Sequence, residues 1–176
     1  MQQSGTTLPE PAAAGVRQYL SFALGAEEYG LEILRVQEIK GYLGITPIPN
    51  SPPHVRGVMN LRGTVIPVVD LRRKFGMEPQ EYTRFTVIIV VTAGARTVGL
   101  IVDAVSDVLD VRADEVRPAP DMGAQVDVRF IAGMMSSGDQ LVVLLDVDRL
   151  LAADGLAANE ELVVAADGAA GEGERK

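Results

Sequence analysis

A chain of 176 residues with a formal charge of −8 and 47% hydrophobic content fits one compact domain, or two small ones sharing a core. Aromatic residues at 5% leave that core to Val, Ile, Leu and Ala, and the lack of any cysteine excludes disulfides, cysteine-based zinc sites and thiol catalysis together. The acidic balance argues against non-specific nucleic-acid binding. No apolar run approaches the roughly 18 residues of a membrane span, and the first ten residues carry no signal-peptide pattern, so the expectation is a soluble cytoplasmic protein.

Residues 1–16, rich in Gln, Ser, Thr, Pro, Ala and Gly, predict a disordered leader. Gln18 to Leu24 reads as a first strand, 25–28 as a turn, and Tyr29 to Ile33 as an extended segment in which Tyr29, Leu31 and Ile33 alternate with Gly30 and Glu32. Leu34 to Ile39 is ambiguous: Val36 and Ile39 suit a core, while Arg35, Gln37 and Glu38 suit water. Gly44, Pro47 and Pro49 forbid a helix through 41–50. Gly57 to Leu61 and Thr64 to Asp70 then flank Arg62-Gly63 and predict a β-hairpin. Arg62 stands at its tip with no acid nearby in sequence, either as a solvated turn residue or as a contact presented on a rigid loop. Asp70 is placed to cap a helical turn that Gly76 ends.

Phe85 to Val91 is a continuous apolar run suited to a buried strand. A turn at 92–95 leads to strands over Thr97 to Asp103 and Val105 to Val111, and Pro118 and Pro120 break the chain again. Leu141 to Leu145 is the last clear strand, with Asp146 as a second cap. Residues 153–176 carry six acids against two bases and read as an acidic tail with a loose helix over 159–166.

The chain repeats itself. A shift of 76 positions carries Gly57 onto Gly133, Met59 onto Met135, Ile66 onto Val142, Val68 onto Leu144 and Asp70 onto Asp146. A shift of 69 carries Gly30 onto Gly99, Val36 onto Val105, Glu38 onto Asp107 and Ile39 onto Val108. Two related β units are therefore expected. Short strands with frequent turn signals make the chain all-β, as two pseudo-equivalent barrels packed together, each followed by a short helix.

Catalytic chemistry is sparse. His54 is the only histidine, without a serine nucleophile in an elbow motif or a second histidine for a metal. Gly94-Ala95-Arg96 lacks the rest of a phosphate loop. Asp103, Asp107 and Asp110 follow no calcium-loop spacing and read as an exposed edge. No acid, base and nucleophile assemble, so binding without cofactor or metal is favoured. An enzyme or small-ligand carrier would need a deep pocket lined by His54 and the acids.

Glu28 to Ile39, Ile45 to Asn50, Gly57 to Gly63 with Ile66 to Arg72, and Val98 to Leu109 resemble, in that order, the CheW family of bacterial chemotaxis coupling proteins. The likeness covers about residues 18–152. It implies two five-stranded SH3-like barrels in pseudo-symmetry, about 17–82 and 83–152, with strand exchange between them. It also implies a non-enzymatic adaptor that joins chemoreceptor signalling tips to the regulatory domain of the histidine kinase CheA. That adaptor would sit at the inner face of the membrane through receptor arrays, without inserting into the membrane or binding nucleic acid. Receptor-binding positions carry over onto Val36, Glu38, Gly57, Arg62, Val87, Gly99, Val105 and Val108. Kinase-binding positions carry over onto Ile39, Gly41, Tyr42, Leu43, Ile45 and Thr46.

Overall fold

The computed structural model describes residues 15–42, 44–118 and 128–152. The leader up to residue 14, Leu43 and the acidic tail with its expected helix lie outside them. Strands β1 (Val16–Leu24) and β2 (Glu27–Glu32) form a hairpin in which Leu20 faces Leu31 and Phe22 faces Tyr29. The ambiguous stretch resolves into a single 3-10 turn, Ile33–Arg35, followed by β3 (Val36–Gly41). Then come β4 (Ile45–Thr46), β5 (Val55–Leu61), β6 (Thr64–Asp70) and helix α1 (Leu71–Lys74). The second half supplies β7 (Val87–Ala93), β8 (Arg96–Val102), β9 (Ala104–Arg112), β10 (Ile131–Ser137), β11 (Gln140–Leu145) and α2 (Val147–Ala152).

Phe85 departs from expectation. The strand begins only at Val87, and Phe85 is 59% exposed. A turn holds it out: the Thr83 N–H donates to Thr86 Oγ1 at 2.8 Å, and the Thr86 N–H donates to the Thr83 carbonyl at 3.1 Å. An apolar run alone does not mark where a strand starts when a turn from Thr83 to Thr86 overlaps its first residues.

The strands form two sheets, ordered β10-β11-β2-β1-β9 and β4-β5-β6-β8-β7-β3. The repeat relates β7 to β1, β8 to β2, β9 to β3, β10 to β5 and β11 to β6. The two orders are therefore the same, with β4 added at one edge. Each sheet is built across the halves. The β1–β2 hairpin sits between β9 and β11, and the β7–β8 hairpin sits between β3 and β6. The halves have exchanged their leading hairpins, so a boundary near residue 82 separates the repeats but not the sheets.

Local detail repeats as well. The β5–β6 register slips between Val55 and Gly57, and the β10–β11 register between Ile131 and Gly133. The Asp70 N–H donates to the His54 carbonyl and the Asp146 N–H to the Phe130 carbonyl, both at 2.8 Å. Asp70 accepts from the N–H groups of Arg72 and Arg73 at 3.0 and 3.4 Å, and Asp146 accepts from that of Arg149 at 3.1 Å. Both aspartates thus cap their helices, as their repeated place predicts.

The largest core lies between the sheets. Phe22, Leu24, Tyr29 and Leu31 from the first hairpin meet Ile89, Val91, Leu100 and Val102 from the second, closed by Leu71 and Leu150 of the helices. Smaller clusters occupy the other face of each sheet: Met59, Ile66, Val68, Ile88 and Val90 on one, and Tyr19, Val111, Met135, Val142 and Leu144 on the other. Fully burying each such side chain contributes about 1.5–3 kcal/mol, and the exchanged hairpins contribute to the shared core from both sides.

Candidate functional site

Four of the receptor-site candidates lie on the two edge strands that follow the sheet crossovers, Val36 and Glu38 on β3 and Val105 and Val108 on β9. A bulge between Val36 and Glu38 decides which way β3 presents its side chains. Val36 pairs with Val91, a shared-core residue, whereas Glu38 pairs with Val90 on the opposite face. Two residues apart, they would point the same way in a regular strand, and the extra residue turns them apart. Val36, Val87 and Val105 are half-buried and all three pack against the shared core. Val108 lies opposite Leu20 on β1 and is 45% exposed. Its counterpart Ile39 lies opposite Ile89 and is 44% exposed. Directly paired residues share a face, so both lean toward the side that carries the shared core.

Arg62 has a partner after all. It and Gly63 form a two-residue turn with φ of 51° and 90°, the doubly left-handed geometry that matches strand twist. The Gly63 N–H donates to Asn60 Oδ1 at 2.8 Å. From this tip Arg62 Nη2 donates to Glu38 Oε2, 24 positions away in sequence. Lys40 Nζ stands 4.0 Å from the other oxygen of Glu38. The Arg62 hydrogen bond holds the Glu38 carboxyl below the usual carboxylate range and holds the guanidinium above its own. Arg62 borders an open depression of about 230 Å³, lined also by Gln37, Leu61, Thr64, Ile66 and Thr97. Neither His54 nor Asp103, Asp107 or Asp110 lines it, so it is not the pocket that a carrier or enzyme reading requires.

Gly57 and Gly99 are buried and offer room rather than contact surface. A Cβ on Gly57, whose φ is 146°, would lie 2.1 Å from the Thr46 carbonyl oxygen and 2.9 Å from Pro47 Cα. The close approach of the chain leaving β4 to β5 depends on that absence. A Cβ on Gly99 would lie 2.8 Å from Ile88 Cγ2.

The remaining candidates lie along the end of β3 and in β4. Gly41 and Thr46 are exposed, while Tyr42 and Ile45 are half-buried against the smaller cluster of their sheet; Leu43 lies outside the described residues. Tyr82, which the sequence did not single out, holds this segment. Its ring centroid lies 4.1 Å from that of Tyr42, and its hydroxyl donates to Asp70 Oδ2 at 2.7 Å. Burial first, and then that bond, push the Tyr82 hydroxyl above the ordinary tyrosine range.

The acids do not form one edge. Asp107 and Asp110 are exposed on β9, but Asp103 is half-buried and takes two 2.8 Å bonds from the buried Arg72. Burial alone would raise the Asp103 pKa. The Arg72 bonds and the Gly25 N–H outweigh burial and bring it below the usual range. Arg72, Arg35 and Asp148 were also missed; the only sequence clue is that the repeat lays Arg72 on Asp148. Among the described residues no group of histidines and acids could hold a metal ion, and no helix is long and apolar enough to cross a membrane.

Two interleaved β-barrels, with half-buried valines bordering their shared core and the Glu38–Arg62 pair on the opposite face of β3, define an all-β two-barrel module. The family description "CheW-like domain" matches residues 18–155, and the chain belongs to the CheW-like family. The chemotaxis protein CheW of Klebsiella aerogenes is 43% identical over 141 residues, spanning 80% of this chain and 85% of its own length. That of Helicobacter pylori is 32% identical, spanning 79% and 84%. The crystal structure of the scaffolding protein TtCheW from Thermoanaerobacter tengcongensis superposes with a TM-score of 0.72 at 32% identity, over 77% of this chain and 87% of that one.

Proposed function

We propose that the chain is a non-catalytic adaptor of chemotaxis signalling, joining chemoreceptor signalling tips to a CheA-like histidine kinase at the inner face of the membrane. The observation that carries this reading is the rim shared by Val36, Val87 and Val105, half-buried on one core and continued by exposed Val108. An amphipathic helix buries its apolar face on such a rim, and the Glu38–Arg62 pair supplies charged hydrogen bonding beside it. Gly57 and Gly99 belong to this surface as spacers. The kinase regulatory domain is assigned to the segment Ile39, Gly41, Tyr42, Leu43, Ile45 and Thr46, which Tyr82 backs. The folded adaptor spans about residues 17–152.

Titrating the full chain with a receptor-tip helical hairpin and with a kinase regulatory domain, singly and together, tests the reading. Binding of both at once is expected. Competition between them, or binding of neither, refutes the adaptor.

A further inference from the structure

Two crossovers carry the chain from one sheet to the other: Ile33–Arg35 between β2 and β3, and Asp103 alone between β8 and β9. Each is gripped by a short helix. Arg72 on α1 donates from Nε and Nη2 to the two Asp103 oxygens at 2.8 Å each, and from Nη1 to the Glu78 carbonyl at 2.8 Å. Asp103 Oδ2 also accepts from the Gly25 N–H at 2.8 Å, at the tip of the β1–β2 hairpin. In the other half Asp148 on α2 accepts from Arg35 Nη1 and Nη2 at 3.1 and 2.7 Å. Arg35 Nη1 also donates to the Thr92 carbonyl at 3.3 Å, beside the tip of the β7–β8 hairpin. Each clamp therefore ties together a helix, a crossover and the tip of an exchanged hairpin.

What leaves each clamp is a border strand of the rim. Val36 follows Arg35 directly, and Val105 lies two residues beyond Asp103. Both pack on the shared core. A bidentate pair fixes direction as well as distance, so each clamp sets where its strand departs.

We propose that Arg35 and Asp103 are positioning residues of the rim, held by Asp148 and Arg72 so that β3 and β9 present their valines at the right separation. This rests on the reading of the rim as the partner surface. Arg35 and Asp148 keep 32% and 54% of their side-chain surface in solvent, so variants there are suited to fold.

The test compares wild type, Asp148→Arg, and Arg35→Glu combined with Asp148→Arg, all in the full chain. Amide hydrogen exchange of β3 is followed beside titrations with the receptor-tip hairpin and the kinase regulatory domain. Asp148→Arg is expected to speed exchange at Val36 and Gln37, the clamped end of β3, at least tenfold and weaken tip binding at least fivefold, while Ile39 to Gly41 keep their protection and kinase binding stays within twofold of wild type. The reversed pair is expected to recover both properties to within threefold. A lowered thermal midpoint with unchanged tip affinity would make the pair merely structural and overturn the proposal, as would a reversed pair no better than the single variant. If wild type fails to bind the tip, the partner reading falls by itself. The exchange data then decide the clamp: restored protection in the reversed pair supports it, and unaltered exchange in Asp148→Arg overturns it.

Discussion

Arg72 and Asp148 hold the second position of the two short helices, 76 residues apart, and bring opposite charges to equivalent places. Each meets its opposite: Arg72 finds Asp103 and Asp148 finds Arg35. This holds because the hairpins are exchanged. β6 runs parallel to β8 and β11 parallel to β2. With each hairpin kept in its own half, β6 would lie beside β2 and β11 beside β8. Arg72 would then lie by the crossover that carries Arg35, and Asp148 by the one that carries Asp103. Like charges at both clamps disfavour that arrangement, most strongly at Arg72, which is buried.

The exchange itself can be checked by cross-linking, since the chain has no cysteine of its own. Gln18 and Asp110 are cross-strand partners in β1 and β9, joined by a 2.9 Å side-chain bond. Gln18→Cys with Asp110→Cys should form an intramolecular disulfide under mild oxidation. Gln18→Cys with Gly41→Cys, the equivalent place on β3, should stay reduced. The opposite result by mass spectrometry would put each hairpin in its own half.

Acid should loosen the Arg72–Asp103 clamp. Asp103 titrates below its ordinary value when folded, so the unfolded chain binds its proton more readily. Its stabilisation is complete above the unfolded aspartate pKa of about 4 and is lost as pH falls through the folded value. Asp103→Asn should cost about 2 kcal/mol at pH 7, less than a fully buried pair because the carboxylate keeps contact with water. Thermal midpoints of the variant should then fall less steeply than wild type below about pH 5. Parallel acid limbs would remove Asp103 from the account.

Glycines rank by what surrounds them. Gly57→Ala places a Cβ 2.1 Å from a backbone oxygen and should cost about 3 kcal/mol or more, from strain and overpacking together. Gly63→Ala has nothing within 4 Å of its Cβ and should cost only the left-handed penalty of about 1–2 kcal/mol. Chemical denaturation of both variants gives the order; equal losses would mean that the backbone at Thr46 yields easily.

The two caps should differ too. Asp70 is buried and accepts from the Tyr82 hydroxyl as well as from the helix N–H groups. Asp70→Ala should cost about 2–3 kcal/mol and Asp146→Ala about 0.5–1 kcal/mol. Removing the Tyr82 hydroxyl with Tyr82→Phe should narrow the difference in a double-mutant cycle. A cycle that closes at zero leaves Tyr82 without influence on Asp70.

Much of this architecture is legible in the sequence, because spacing survives where side chains change. Gly57 and Gly133 mark equivalent bulges, and Asp70 and Asp146 mark equivalent caps. The pairing of strands is less legible. Both leading hairpins carry the same apolar alternation, so periodicity cannot say which half each one joins. Leu34 to Ile39 is ambiguous in sequence because the bulge at Val36 and Glu38 interrupts the two-residue period. The ion pairs are out of reach for the same reason as the exchange. Glu38 lies 24 residues from Arg62, Asp103 lies 31 from Arg72 and Asp148 lies 113 from Arg35. Only the sheet order brings them together.

Arg62 is where the candidate site is most open to test. Its guanidinium is largely exposed and engages Glu38, in a pair that solvent screens heavily. Arg62→Ala should therefore change stability by less than about 0.5 kcal/mol. Its fork also stands at a rigid hairpin tip, bonded to Glu38 two residues from Val36 on β3, where a helix docked as proposed would offer carboxylates and backbone carbonyls. Losing a charge-assisted hydrogen bond there should weaken receptor-tip binding by roughly 1–3 kcal/mol. Kinase binding should survive, because its assigned segment runs along Ile39 to Thr46. Glu38→Gln separates the two roles. It keeps the shape but removes the charge that orients Arg62, so it should weaken tip binding by less than Arg62→Ala does. Titrations of both variants against the receptor tip and the kinase regulatory domain, with thermal midpoints beside them, give the answer. If both affinities and the midpoint fall together in Arg62→Ala, the residue holds the fold rather than the partner.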